Sequence, residues 1–179
     1  ELIPYKYPTD KQIEKIGVRG VYLSNFFKWE ANEHGPLMVK KYNFKESKDP
    51  FERTYRKMSN LDDMHDNGIH DYMKWIKFGY GRATDHTTKD IRAGRMTRDE
   101  GIKEVLKRDH IKSKDLKRWL DYVSWTEDYF DAEADKFRDP KVWWIKGGKW
   151  FKSDIDGIER DYGKVHLSLS YTQNYYVEV

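Results

Sequence analysis

Cysteine is absent from this chain, which excludes disulfides and thiolate-bound metal. Proline is scarce, with five in 179 residues. No run approaches the roughly 18 consecutive apolar residues that a membrane-spanning helix needs, so no membrane partner is expected. Neither sign of charge dominates: 34 Lys and Arg stand against 31 Asp and Glu, a net charge of +3. Strong nucleic-acid binders carry a clear basic excess or stripe, so nucleic acid is not the expected partner. The opening residues, ELIPYKYPTD, do not have the layout of a signal peptide, and a cytoplasmic location is expected, in keeping with the missing disulfides. With Glu1 in first place the chain reads as a piece of a longer protein.

What is present is aromatic. The apolar fraction is 37% and the charged fraction 36%, but seven Trp and thirteen Tyr bring the aromatic share to 16%. A disordered chain seldom carries so many large rings. A folded domain with an aromatic core is expected.

The hydrophobic pattern is mainly helical. Thr9 or Asp10 can cap a short helix that Gly17 ends, and residues 30–42 read as a helix interrupted by Gly35 and Pro36. Between them GVRGVYLSNFF suggests a short strand or loop, and residues 45–57 a loop. Asn60 is a candidate cap for a helix over 62–77 whose apolar stripe is Ile69, Tyr72, Met73 and Ile76. Gly79 and Gly81 break that helix. Asp85 can cap a helix to about Arg92, Thr97 and Glu100 form a capping box for the next, and Ser113 and Thr126 open two more. The faces of these two are Leu116, Trp119, Leu120 and Val123, then Phe130, Ala134 and Phe137. KVWWIKGGKWFK reads as a hairpin about Gly147-Gly148, and HLSLSYTQNYYVEV as an edge strand or a disordered tail. The fold class expected is mainly α, a helical domain with a small β hairpin near the C-terminus. Residues 1–164 form the domain and residues 165–179 the tail.

The densest polar cluster follows the turn Gly79-Tyr80-Gly81: Arg82, Thr84, Asp85, His86, Lys89, Asp90, Arg92, Arg95 and Arg98. Glycines let backbone approach a ligand, helix-opening amides favour an anion, and guanidinium groups bind phosphate or carboxylate in a fork. A site for a phosphorylated or carboxylated ligand follows; the bland alternative is a solvated surface with Asp85 as a helix cap. His65 and His70 are poorly aligned for a shared ion, and no H-E-x-x-H spacing occurs. His70, beside Asp71, reads as a buried hydrogen-bonding residue. Asn60, Asp62, Asp63 and Asp66 could hold Mg²⁺, but acids also enrich the first turn of a helix. No metal site is expected in this chain. Gly147-Gly148-Lys149 lacks the spacing of a phosphate loop and is read as a turn; Trp143, Trp144, Trp150 and Phe151 suit a core or interface.

The run GIHDYMKWIKFGYGRATDH, continued by DIRAGRMTRDEG, resembles the N-acetyl sugar amidotransferases, as do GVRGVYLSNFFKWEAN, FERTYRKMSNLDD and DKFRDPKVWWIKGGKW. That family is similar to the PP-loop ATP pyrophosphatases. The resemblance implies a C-terminal portion of an enzyme that turns a sugar acetamido group into acetamidino for bacterial surface polysaccharides or flagellar glycans. It implies that ATP adenylates the acetamido oxygen and that ammonia displaces AMP. ATP and Mg²⁺ would serve the intact enzyme, with no cofactor in this piece. The implied partners are an N-acetylated nucleotide sugar and glutaminase and ammonia-channel subunits similar to those of histidine biosynthesis. The signature S-G-G-x-D-S does not occur in these residues, so the piece is expected to be inactive alone. By the same resemblance Arg82, Thr84, Lys89, Arg92 and Arg95 would contact substrate or phosphate. Asp85 and His86 would be catalytic, with Asp85 orienting the cations or capping its helix and His86 handling a proton. The alternatives are a helical nucleic-acid-binding module and a protein-interaction module.

Overall fold

The computed structural model describes residues 2–58, 65 and 67–178. The chain divides into two compact units, residues 1–45 and 46–179. In the first, α1 (Asp10–Ile16) opens at Thr9, whose side chain and that of Gln12 form a capping box, and closes at Gly17. Helix α2 (Ala31–Tyr42) runs through Pro36, which removes one backbone donor without ending it. GVRGVYLSNFF forms no strand; within it Leu23–Asn25 make a single 3-10 turn. Two glycines among its β-formers favour turns.

The second unit is built from helices and one sheet. Helix α3 (Asn67–Phe78) is followed by α4 (Arg82–Arg92), α5 (Arg98–Arg108), α6 (Leu116–Val123) and α7 (Glu127–Asp135). Then come strands β1 (Trp144–Lys146), β2 (Lys149–Ser153) and β3 (Glu159–Lys164), a short helix α8 (Leu169–Thr172) and strand β4 (Val177–Glu178). The domain is therefore mainly helical with a small sheet near its C-terminal end. Strand order is β3-β2-β1-β4. The hairpin about Gly147-Gly148 pairs Ile145 with Trp150. β3 adds antiparallel to β2, and β4 lies at the edge, parallel to β1. Helix α8 and strand β3 carry little apolar patterning: ERDYGK is largely charged and exposed. No helix among the described residues is long and apolar enough to cross a membrane.

The core joins Tyr72, Trp75 and Ile76 of α3 to Leu116 and Leu120 of α6 and Phe130 and Ala134 of α7, with Trp143, Ile145 and Trp150 from the sheet region. Ile69 sits only half-buried at the margin, whereas Trp75 is fully inside. Phe137 lies past the end of α7 and is exposed. Trp143 and Trp150 are wholly buried, and the Trp143 indole N–H donates to the Ile76 carbonyl at 2.8 Å. Between three tryptophans sits a cation: the Arg138 guanidinium lies 4.1 Å from the Trp143 ring, 4.9 Å from Trp150 and 5.7 Å from Trp75. Its charge is balanced by Asp135, 2.8 Å away. Cation–π contact and a buried ion pair thus replace aliphatic packing where the apolar fraction is low.

Ile76 is 1% exposed, so Ile76→Ala should lower stability by about 2–5 kcal/mol. Phe137→Ala at the surface should shift it by less than about 0.5 kcal/mol. Urea unfolding midpoints of the two variants check both figures.

Candidate functional site

Helix α3 ends at Gly79, which adopts the left-handed conformation with φ +75° and needs no Cβ to do so. Two residues later the chain turns into α4 with Gly81 at the cap position. The helix opens at Arg82, not at Asp85, so Asp85 lies within the first turn and is not the cap. The cap comes from elsewhere in the chain. Asp109, just past α5, accepts from the Gly81 amide at 2.7 Å, the Ala83 amide at 2.9 Å and the Thr84 hydroxyl at 2.6 Å. A Cβ at position 81 would stand 2.6 Å from an Asp109 oxygen, so only glycine lets the carboxylate in. The anion site anticipated at this helix start is therefore filled by the protein's own carboxylate. Its physical reason is plain: amides left without a local side-chain cap attract a negative charge. Buried Arg53 donates to the Asp109 carbonyl and places its cation 5.3 Å from the Tyr72 ring.

The anticipated residues divide by environment. Arg82 grips Asp71, with its Nε 3.0 Å from each oxygen and Nη2 2.7 Å from one. Arg95 and Arg56 both donate to the buried Asp90, at 2.9 and 3.0 Å, and the Tyr55 hydroxyl joins them. Burial pushes the Asp90 carboxyl up, but the bonds from Tyr55, Arg56 and Arg95 outweigh it and hold it below the usual range. Asp85 pairs with Lys74, whose ammonium lies 4.7 Å from the Tyr80 ring. His86 Nδ1 shares a 2.5 Å hydrogen bond with Thr54. Burial, with the Arg56, Arg82 and Lys89 charges, lowers its pKa to about 4, so it is neutral near pH 7. Lys89 and Arg92 are exposed on the outer face of α4. His70 is also exposed, 61% by side chain, and lies 3.1 Å from Asp71; it is not the buried histidine its neighbours suggested, because it projects from the solvent side of α3. Asn60, Asp62, Asp63 and Asp66 lie outside the described residues. Among the described residues no group of three His, Asp or Glu is placed to hold a metal ion.

A cleft of about 310 Å³ opens beside this cluster. Trp75, Phe78 and Val142 form one wall, with Tyr80 at the rim; Val105, Leu106 and Ile155 complete the apolar lining. Thr84, Asp109, His110, Lys152, Asp154 and Tyr162 supply its polar groups. Of the anticipated site residues only Thr84 reaches it. Lys152, 4% exposed, bonds Asp154 at 2.5 Å. The other Asp154 oxygen accepts from the Tyr162 hydroxyl at 2.5 Å and from Arg160 at 2.9 Å. Burial pushes the Tyr162 phenol well above its ordinary pKa, and the Asp154 hydrogen bond and charge push the same way. Burial and the Arg53 charge lower the His110 pKa despite Asp154 and Asp109. Lys152, Asp154 and Tyr162 carry no local sequence motif. They converge because β2 and β3 pair antiparallel, which brings Tyr162 back beside Lys152 and Asp154.

Fold and cleft together define a helical domain with an apolar-walled cleft beside a self-neutralised cluster of charges. Residues 24–153 match the family described as LPS biosynthesis protein WbpG-like, C-terminal domain. The match takes in well over half of the chain, and the chain belongs to that family. No curated protein matches it.

Asp109→Ala strands two amides and a hydroxyl at the start of α4, and stability should fall by about 2 kcal/mol or more. Amide hydrogen exchange should show the loss concentrated in the first turn of α4, and Asp109→Asn, which keeps an acceptor, should cost less. The His86 linkage has the opposite sign to that of a paired histidine. The unfolded chain takes up the proton near 6.5 and the folded one only near 4, so stability is complete above that window and declines as pH falls through it. His86→Gln should flatten this decline, read as unfolding midpoints across the window.

Proposed function

We propose that this chain is part of an ATP-dependent amidotransferase that converts the acetamido group of a sugar to acetamidino during LPS biosynthesis, and that it forms the sugar-facing side of the site. What carries the reading is that the match spans residues 24–153 and so contains the whole run 78–101 that resembles N-acetyl sugar amidotransferases. That run forms the turn, the α4 start and the rim of the cleft. An amide carbonyl resists attack by ammonia until its oxygen becomes a leaving group, which accounts for a need for ATP.

In this reading the described residues do not themselves cradle the ATP phosphates. The α4 amides are occupied by Asp109, while Arg82 and Arg95 are held by Asp71 and Asp90. These two arginines and Asp85 are then positioning residues that brace the turn. Exposed Lys89 and Arg92 meet the phosphates of a nucleotide-linked sugar. His86, neutral near pH 7, orients through Thr54 and does not carry the proton. ATP and Mg²⁺ are needed by the intact enzyme, and ammonia comes from glutaminase and channel subunits.

The intact protein, given ATP, Mg²⁺, ammonium and an N-acetylated nucleotide sugar, should form AMP in step with a product whose carbonyl oxygen is replaced by NH, read by mass spectrometry. This chain alone should form no AMP. Sugar-independent AMP release, or an unchanged sugar, would overturn the assignment.

A further inference from the structure

The cleft has an unusual balance of groups. Its volume, about 310 Å³, lies at the small end of the roughly 300–1,000 Å³ span of ligand pockets, enough for one ring and its substituents. Lys152, Asp154 and Asp109 in its wall are already engaged, and burial with the Arg53 charge disfavours a proton on His110. Lys152 bonds Asp154 at 2.5 Å and the Ser153 carbonyl at 3.1 Å. Asp154 also holds Tyr162 and Arg160, and Asp109 is saturated by the α4 start. Among the described residues that line it, a diphosphate would meet one lysine, already committed, and two carboxylates. A neutral ligand with hydroxyl or amide groups meets spare hydrogen-bonding capacity at low electrostatic cost. At the rim two aromatic side chains stay open to solvent: Phe78 is 48% and Tyr80 43% exposed, their ring centroids 6.1 Å apart and tilted by 33°. Rings exposed at the lip of a concave polar site gain contact area when a flat apolar face covers them.

We propose that this cleft binds the uncharged ring of a hydroxyl- and amide-bearing sugar, with Phe78 and Tyr80 against its C–H face and the Lys152–Asp154–Tyr162 network bonding its hydroxyls. Any phosphate attached to the sugar then stays outside the cleft. The sugar class rests on the amidotransferase reading above; the preference for a neutral ring over a phosphate rests on the cleft alone.

The test uses the intact protein and three probes: methyl N-acetylglucosaminide, adenosine and inorganic pyrophosphate, followed by ligand-observed NMR and calorimetry. The glycoside should bind, and neither adenosine nor pyrophosphate should displace it. Phe78→Ala or Tyr80→Ala should weaken it about tenfold, roughly the worth of one ring contact, while Tyr80→Phe should restore binding. Ile155→Trp, placed at the cleft wall, should abolish binding without touching the aromatic pair. Absence of glycoside binding, displacement by adenosine or pyrophosphate, or unchanged affinity in the alanine and Ile155 variants overturns the proposal. Acetamidino product formed with unaltered KM by those variants would overturn the cleft and leave the amidotransferase reading standing. Intact, variant-sensitive glycoside binding with no turnover would sustain the cleft and remove that reading.

Discussion

The second unit depends on one carboxylate placed where a helix begins. Asp109 ends α5 and caps α4, so two helices that are adjacent in sequence are locked at their far ends. The same residue anchors buried Arg53 through its carbonyl and lines the cleft with its side chain. Gly81 makes this possible by having no side chain in the carboxylate's way. A helix start bears partial positive charge and unpaired donors, and Asp109 supplies the counter-charge from within the chain. Phe78 precedes the turn 79–81 and Tyr80 lies within it, both at the cleft.

A second constraint follows from composition. With 36% of its residues charged, the chain buries several carboxylates and sets cations against them. Arg82 with Asp71, Arg56 and Arg95 with Asp90, Lys152 with Asp154 and Arg138 with Asp135 are examples. Removing one member of such a group leaves a buried charge uncompensated, which is costlier than losing an exposed pair. This is why a run rich in arginine, which in isolation resembles a phosphate grip, serves in large part as internal scaffolding. None of those arginines lines the cleft, whose ionic groups are Lys152, Asp154 and Asp109.

Much of the helical architecture was legible because its signals are local. The Thr97–Glu100 capping box opens α5 as expected, Thr126 caps α7, and Gly147-Gly148 turns the hairpin. The apolar stripe of α3 is visible in the sequence, and Trp75 belongs to its buried face as much as Tyr72 and Ile76 do. Strand β3 is not legible in the sequence, because its residues are largely charged and its place is set by pairing with β2 rather than by its own preference. The cap position of α4 is Gly81, four residues before the Asp85 that the sequence suggests, because a capping carboxylate 28 residues distant from Gly81 leaves no trace beside the helix it closes.

By itself the sequence determined the class of fold, the family resemblance and the identity of the polar cluster around α4, because periodicity, capping and motifs act over a few residues. The tertiary structure alone decided which of those charges are spent on one another and which face solvent. Coulombic pairing and burial depend on distances between residues such as Arg82 and Asp71 or Gly81 and Asp109, and those distances exist only once the chain has folded.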